Sequence, residues 1–249
     1  MELVVINQPR VLLYRQPYQI GKRLMDLAIC LLLLPLILPL AVICMLAIWL
    51  DSQGPVFFVQ ERVGKGGRRF RMYKFRTMQH NLEDSYNRAF MKAFVNGQIG
   101  GDGHEAHQNP SLFGVSKKAL VHKPVGNNGN GKVYKPVQSS QITRVGRILR
   151  KASVDEWPQL INVLRGEMSI VGPRPNVPWE VEEYRPWHYE RLEVLPGITG
   201  LAQVRGRSGI SFDHIVRYDV EYVEKQSLAL DLKIMWWTVS SVLGGRGAE

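Results

Sequence analysis

The feature that most constrains this chain is an uncharged apolar stretch of 24 residues, Leu27 to Leu50, bounded by Asp26 and Asp51. A helix of that length can span a hydrocarbon core of roughly 30 Å. A signal peptide would have a shorter apolar core and a small-residue cleavage site after it. A buried helix of a soluble protein is the alternative, but such helices seldom run this long without a polar side. The stretch therefore predicts a membrane helix.

Two prolines predict that this helix bends. Pro35 and Pro39 lack an amide N–H and crowd the carbonyls of Leu31 and Pro35, and lipid supplies no partner for carbonyls that are freed. Both flanks of the stretch are basic, and basic flanks normally stay on the cytoplasmic side. These cations are Arg10, Arg15, Lys22 and Arg23 before it, and Arg62, Lys65, Arg68, Arg69, Arg71, Lys74 and Arg76 after it. We therefore expect a re-entrant helix rather than one that crosses the bilayer.

The net charge of +10 is concentrated near this helix. Residues 1–80 contain 11 Lys/Arg against 4 Asp/Glu, whereas residues 180–249 contain 8 against 11. A local excess of this kind predicts an anionic partner, such as phosphate or acidic lipid.

The two cysteines argue against disulfide chemistry. Cys30 and Cys44 are 14 residues apart, which on a helix is about 21 Å and beyond disulfide reach. We expect a reduced, cytoplasm-facing protein without cysteine chemistry or a metal cluster.

Residues 54–78 predict a β-hairpin. Two runs of apolar and aromatic residues flank a turn at Gly64–Gly67. In the second strand Lys74 and Arg76 would share a face and are candidates for phosphate binding. The alternative is a basic edge strand that lies on acidic lipid.

Residues 96–140 are rich in Gly and Asn and predict a long irregular insertion. His104 and His107 lie there beside Asp102 and Glu105, but loose polar loops produce such clusters by chance. We expect no metal site in this insertion.

Two adjacent carboxylates, Asp155 and Glu156, stand where a helix is expected to begin in SVDEWPQL. Acids at such a position are routine, because they accept hydrogen bonds from first-turn amides. The preceding segment places Arg144, Arg147 and Arg150 along one helical face. This ridge is either an ordinary solvated face or a row of cations directed at whatever the two acids hold.

Arg174 lies between Pro173 and Pro175, so it is expected on a stiff, non-helical segment. A guanidinium held in this way is suited to bidentate phosphate binding, and an exposed arginine on a structural turn is the alternative. The turn-rich segment 196–207 adds Gln203 and Arg207 as further candidates. The C-terminal segment predicts an amphipathic helix with Trp236 and Trp237, which lies at a membrane interface or packs in the core.

Several long motifs follow one another in the order of one family. They are KRLMD, GPVFFVQERVG, FRMYKFRTM, ITRVGRILRKASVDEWPQLINVLRGEMSIVGPRP, PGITGLAQVRGR and DLKIMW. The chain resembles the bacterial sugar transferases, monotopic phosphoglycosyl transferases, over nearly its whole length apart from residues 81–140. Its length is similar to that of the small form of the family.

The resemblance implies a catalytic Asp-Glu dyad at Asp155 and Glu156. It implies attack of a carboxylate on the β-phosphorus of a nucleoside diphosphate sugar, usually UDP-linked, and release of UMP. Polyprenyl phosphate then takes the sugar phosphate, and Mg²⁺ is required. It also implies a re-entrant helix bent at a Ser-Pro pair, where this sequence has Leu38 and Pro39.

The chemistry has independent physical support. Phosphoryl transfer needs the charge on phosphate oxygens to be neutralised by Mg²⁺ and cations, and Mg²⁺ takes one or two carboxylates. We therefore assign Asp155 as nucleophile and Glu156 as metal ligand, with a metal shared by both acids as the alternative. The phosphate ligands are Arg150 and Arg174, with Lys74, Arg76, Arg147, Gln203 and Arg207 as further candidates.

The expected fold is α+β. An N-terminal arm and re-entrant membrane helix occupy residues 1–52, and a small catalytic domain with a β-hairpin, short helices and interfacial amphipathic helices occupies 53–249. The expected partners are a nucleotide sugar, polyprenyl phosphate and membrane lipid, but not nucleic acid, and a homo-oligomer is left open. We expect the protein in the bacterial inner membrane with its catalytic domain facing the cytoplasm, where it starts glycan assembly.

One function of another class competes with this interpretation. Basic and aromatic residues interleave in RRFRMYKFR, which is typical of a membrane-tethered module that binds nucleic acid or anionic lipid. Such a module has no use for the adjacent acids at Asp155 and Glu156.

Overall fold

The computed structural model describes residues 16–79, 85–97, 141–206 and 210–243. The arm before residue 16, residues 98–140 of the predicted insertion (with His104 and His107) and Arg207 lie outside the described residues. The helices are α1 (Gln16–Asp51), α2 (Ser85–Val95), α3 (Arg144–Lys151), α4 (Gln159–Arg165), α5 (Pro178–Val181), α6 (Leu201–Arg205), α7 (Phe212–Lys225) and α8 (Leu228–Leu243). The strands are β1 (Phe57–Val63), β2 (Arg69–Phe75), β3 (Ser169–Val171) and β4 (Gly197–Thr199). A long apolar helix followed by this mixture of helices and small sheets confirms the α+β class.

Helix α1 is continuous through Pro35 and Pro39. It is long and apolar enough to cross a membrane, with a mean hydropathy of 3.0 over its most apolar part. None of residues 31–40 is buried. The two flanking parts do pack on the rest of the protein. Cys30 lies in one apolar core with Met72, and Ile48 lies in another with Phe75.

Polar contacts also fix both ends of α1. Near its start the buried Asp26 accepts hydrogen bonds from Ser169 Oγ (2.7 Å) and Ile170 N (3.2 Å). At its end Asp51 accepts one from Val145 N (2.9 Å), an amide in the first turn of α3 that has no partner within its own helix. Helix α1 is therefore anchored to the domain on either side of its exposed middle.

The predicted hairpin is confirmed. Strands β1 and β2 are antiparallel, with Phe57 opposite Phe75 and Val63 opposite Arg69. The connection turns through Gly66 and Gly67 at φ 64° and 77°, a conformation that glycine adopts without steric cost.

The second sheet is a short parallel pair, β3 and β4, which the sequence did not predict. Ser169 lies opposite Gly197, and Val171 lies opposite Thr199. The backbones approach so closely here that a Cβ on Gly197 would overlap the backbone of Gly172. This approach brings the segment around Arg174 beside β4.

Helix α8 packs in the core along one face, as the second of the two alternatives predicted. Ile234 is buried in a core with Val171 and Tyr222, and Asp231 accepts hydrogen bonds from Tyr222 and Lys22 at 2.7 and 3.0 Å. The opposite face is apolar and exposed. It consists of Leu228, Leu232, Trp236, Val239 and Val242.

Candidate active site

Glu156 is the centre of a small ionic cluster. Its Oε1 lies 2.6 Å from Lys74 Nζ and 3.4 Å from a guanidinium nitrogen of Arg174. The Lys74 and Glu156 side chains are mostly buried, whereas about half of Arg174 is exposed. The structure thus brings together three of the residues predicted from sequence, from three separate segments.

Lys74 is directed at Glu156 because the free edge of its strand is held in register. The side chain of Asn162, on α4, accepts a hydrogen bond from Tyr73 N (3.2 Å) and donates one to Arg71 O (2.7 Å). A buried side-chain amide therefore pairs this strand edge as a neighbouring strand would. The register of β2 fixes which way Lys74 faces.

Arg174 lies on the non-helical segment that the sequence predicts. Pro173 and Pro175 are buried while Arg174 between them is exposed. The carbonyls behind it are held by two other arginines. Arg191 donates to Arg174 O (2.9 Å), and Arg62 donates to Pro175 O (3.1 Å). We call residues 173–175 with these two arginines the arginine bracket.

The two acids lie in a single 3-10 turn, Val154–Glu156, rather than at the start of an α-helix as expected. The chain enters this turn through Ser153 at φ 54°, the one positive φ of a non-glycine residue in the described ranges. Such strain is uncommon for a residue with a side chain and is found often at functional sites. Helix α4 begins only at Gln159.

The surroundings separate the two acids electrostatically. Burial alone would raise the pKa of Glu156, but Arg174 and Lys74 outweigh it and the pKa is lowered. The pKa of Asp155 is raised, chiefly by burial and in part by the charge of Glu156, while Lys74 and Arg150 oppose the rise. The pKa of Lys74 is itself lowered by burial and by the like charge of Arg174. Glu156 is thus held as an ion.

Asp155 is the unpaired member of the dyad. No ion pair within the described part of the chain involves it, whereas Glu156 has two. The half-buried Arg150 favours its charged form from a distance. A carboxylate without a direct cationic partner keeps its lone pairs available for attack on an electrophile.

A solvent-open pocket adjoins the cluster and contains about 190 Å³ of space, part of it open solvent. Its lining residues are Arg62, Met72, Lys74, Glu156, Gln159, Arg174, Pro175, Gly197 and Ile198. Three cations and one carboxylate line a single depression, which suits a ligand with several anionic oxygens.

The family model for bacterial sugar transferases matches residues 17–245. This chain belongs to the bacterial sugar transferase family. The match covers every element described above, except the first residue of α1, and confirms the resemblance found in the motifs.

Named relatives of this family member are similar over nearly all of its length. The UDP-glucose:undecaprenyl-phosphate glucose-1-phosphate transferase of Caulobacter vibrioides is 38% identical, over 92% of this chain and 72% of the relative. The exopolysaccharide production protein ExoY of Sinorhizobium fredii is 35% identical, over 92% and 88%. The galactosyl transferase CpsE of Streptococcus agalactiae is 36% identical, over 95% of this chain but only 45% of the relative. The family member thus spans most of some relatives and about half of others.

Arg76 is not in the cluster, although the strand pattern predicts that it shares a face with Lys74. Its buried guanidinium donates to Ser52 O (2.6 Å), Ser52 Oγ (2.8 Å) and Gln53 O (2.9 Å). Strand β2 ends at Phe75, so the alternation no longer applies at Arg76. It fixes the chain at the end of α1 instead of facing a substrate.

The remaining predicted residues lie around the cluster. Arg147 is exposed on α3. Gln203 is exposed on α6, where the sequence had predicted only a turn, and donates to the carbonyl of the pocket residue Ile198 (3.0 Å). Neither contacts Glu156.

Two pocket residues were missed by sequence reasoning as site residues. Arg62 was noted only as a basic flank of the membrane helix, and its place beside Arg174 depends on a tertiary contact. Gln159 carries a signal that could have found it, because it follows Glu156 by three residues and residues so spaced share a face.

The dyad is compatible with Mg²⁺ by the chemistry of its donors. In the described residues no group of three or more His, Cys, Asp or Glu side chains could hold a metal. Mg²⁺ needs only one or two carboxylates, with the remaining positions filled by phosphate oxygens and water. Asp155 and Glu156 supply that number.

Proposed function

We propose that this protein transfers a sugar 1-phosphate from a nucleoside diphosphate sugar, UDP-linked, to polyprenyl phosphate, giving a polyprenyl diphosphate sugar and UMP. The observation that carries the proposal is the asymmetry of the dyad. One acid is held by Lys74 and Arg174, and the adjacent acid is left without an ion pair. The Caulobacter vibrioides relative is named for an activity of the same kind.

In the first step an oxygen of the Asp155 carboxylate bonds to the β-phosphorus. The bond from that phosphorus to the oxygen bridging the two phosphates breaks, and its electrons leave with UMP. In the second step an oxygen of polyprenyl phosphate bonds to the same phosphorus, and the bond to Asp155 breaks. This returns the free carboxylate.

The cations of the cluster have a specific task in both steps. Lys74 and Arg174 line the pocket together with Glu156, and their charges would balance the negative charge on the phosphate oxygens. Mg²⁺ bound by Glu156, alone or with Asp155, would neutralise further charge on the diphosphate. Arg150 would keep Asp155 ionised against the cost of its burial.

The membrane arrangement proposed with this function is re-entrant. A straight helix would separate Cys30 and Ile48 by about 27 Å, yet their cores include Met72 and Phe75, which are three residues and about 10 Å apart on one strand. A bend at Pro35 and Pro39 reconciles these distances. It would keep both ends of α1 on one side of the membrane, and the basic flanks favour the cytoplasmic side.

No observation favours the competing binding module. Of the cations in its RRFRMYKFR segment, Lys74 is paired with Glu156, and Arg76 is bonded to backbone near the end of α1. Those two cations are therefore not free to lie on nucleic acid.

The proposal is tested by measuring UMP release from a panel of nucleotide sugars in the presence of polyprenyl phosphate. We expect turnover with at least one UDP-sugar, and its abolition in Asp155→Asn while the protein remains folded and membrane-bound. The exposed Glu182 provides a matched control, and Glu182→Gln should leave turnover unchanged.

The two-step scheme has its own test. Donor carrying radiolabel in the β-phosphate should label the wild-type protein before acceptor is added, and should not label Asp155→Asn. Turnover without any labelled protein would instead indicate direct transfer and would remove the nucleophile assignment.

A further inference from the structure

Gln159 has the chemistry of a substrate ligand that neither the motifs nor the ionic cluster explains. It is the first residue of α4, its exposed fraction is 2%, and it lines the pocket beside Glu156. Its side-chain amide makes no hydrogen bond within the described residues, and its polar atoms are not among the fully enclosed, unpartnered ones, so they reach the open side of the pocket. The amide of Asn162, three residues later, is bonded to Arg71, Tyr73 and Glu167.

The Gln159 amide has no hydrogen bond that supports the fold among the described residues, although most of its side chain is enclosed. Side-chain amides so placed are normally paired with the protein or with water. Since Gln159 faces the pocket, a ligand there can supply the missing partner. Asn162 contributes to the fold in the ordinary way, so the two amides of one helix have different tasks.

The amide is also chemically distinct from its neighbours. Arg62, Lys74 and Arg174 can only donate hydrogen bonds, and ionised Glu156 can only accept them. Gln159 can do both, and so matches a neutral group that donates and accepts, such as a hydroxyl of a sugar or ribose or the imide edge of uracil.

We propose that the Gln159 amide hydrogen-bonds a neutral hydroxyl or imide group of the donor substrate, next to the diphosphate held by the cations. This inference rests on the proposed function, because it takes the pocket to be the donor site. It assigns Gln159 to substrate binding rather than to the chemistry of Asp155.

The decisive variant is Gln159→Met, which keeps the length of the side chain and removes both polar atoms. In a folding role, losing the amide would lower the melting temperature. In the proposed role, the free protein should melt at the same or a higher temperature, while kcat/KM for the donor falls about tenfold, the loss of one hydrogen bond of roughly 1.4 kcal/mol. The fall should be carried by KM. The matched control is Asn162→Leu, which should lower the melting temperature.

Inhibition by UMP and turnover of the UDP-sugar then distinguish whether Gln159 binds the nucleoside or the sugar of the donor. If Gln159 binds the nucleoside, Gln159→Met should weaken inhibition by UMP as much as it raises KM for the UDP-sugar. If it binds the sugar, UMP inhibition should be unchanged and only the UDP-sugar should be affected.

The inference is overturned if Gln159→Met retains the wild-type kcat/KM, or if it loses activity only in proportion to a lowered melting temperature. Wild-type protein that releases UMP from no donor would overturn the proposed function instead, so the two failures are distinguishable.

Discussion

Arg191 is expected to control activity through Arg174, although it does not face the pocket. Its exposed fraction is 2%, and it donates to Arg174 O (2.9 Å), Asn176 Oδ1 (2.6 Å) and Tyr184 OH (2.8 Å). It also forms an ion pair with Asp219 at 2.6 Å. It thus acts as a positioning residue of the arginine bracket.

The variant Arg191→Lys keeps the positive charge but replaces the planar guanidinium, which has several donors, by a single ammonium group. One ammonium cannot reach partners spread over both ends of the guanidinium, so at least two of the contacts should be lost. At about 1.5–3 kcal/mol each for hydrogen bonds to charged groups, the folded state should lose roughly 3–6 kcal/mol. The carbonyl of Arg174 is then no longer fixed, and we expect kcat/KM to fall about tenfold.

A loss of stability could itself lower activity, so the assay is a double-mutant cycle measured as UMP release per folded protein. Arg174→Ala removes a charge-stabilising donor and should cost about 10²–10³ in kcat/KM. If Arg191 acts through Arg174, the double variant should be no slower than Arg174→Ala alone, because its target is already missing. The control is Arg76→Lys, another buried arginine bonded to carbonyls. The fold-loss in kcat/KM caused by Arg76→Lys should multiply with the fold-loss caused by Arg174→Ala.

The reasoning is refuted if the effects of Arg191→Lys and Arg174→Ala multiply in the same way. Such a result would mean that Arg191 supports the fold in general and not the position of Arg174.

Three further predictions concern separate parts of the molecule. Lys74→Met should lower kcat/KM about 100-fold without unfolding the protein, while Lys65→Met at the exposed hairpin turn should not, and equal effects would count against a site at Lys74. The pKa of His188 is lowered from 6.5, chiefly by burial and despite the attraction of Asp213. Its stabilising contribution is thus present above the unfolded-state pKa and lost as pH falls through the folded-state value. The melting temperature should drop between pH 7 and pH 5, less steeply in His188→Gln, and an unchanged slope would contradict this. Trp236, 70% exposed on α8, should anchor the protein to lipid. Trp236→Ala should weaken binding to vesicles of anionic lipid at an unchanged melting temperature, whereas the exposed-residue variant Arg217→Ala should not weaken it, and full vesicle binding by Trp236→Ala would exclude the anchor.

Local patterns in the sequence were sufficient for several elements. The glycine turn predicted the hairpin, and the threefold spacing of Arg144, Arg147 and Arg150 predicted α3. The extended setting of Arg174 follows from two prolines, each of which acts on its immediate neighbours. These predictions succeeded because the forces that decide them act within a few residues.

Predictions that depend on distant partners were less complete. Strands β3 and β4 contain three residues each, and their pairing depends on a close backbone approach at Gly172 and Gly197 that periodicity does not reveal. Arg76 is two residues after Lys74, as expected for the same face of a strand, but the carbonyls to which it donates lie 23 and 24 residues earlier in the chain. Which cation reaches the acids is decided by the tertiary fold.

The strand that presents Lys74 also joins the site to helix α1. Met72 packs in the core that includes Cys30, Phe75 packs in the core that includes Ile48, and Lys74 between them reaches Glu156. The two apolar anchors of β2 therefore come from the parts of α1 before and after its exposed middle. Removing the helix to obtain a soluble domain would expose Met72 and Phe75 and free the strand on which the position of Lys74 depends. Helix α1, the candidate membrane span, is thus part of the structure that orients the cluster, and its loss should impair the activity as well as any attachment to lipid.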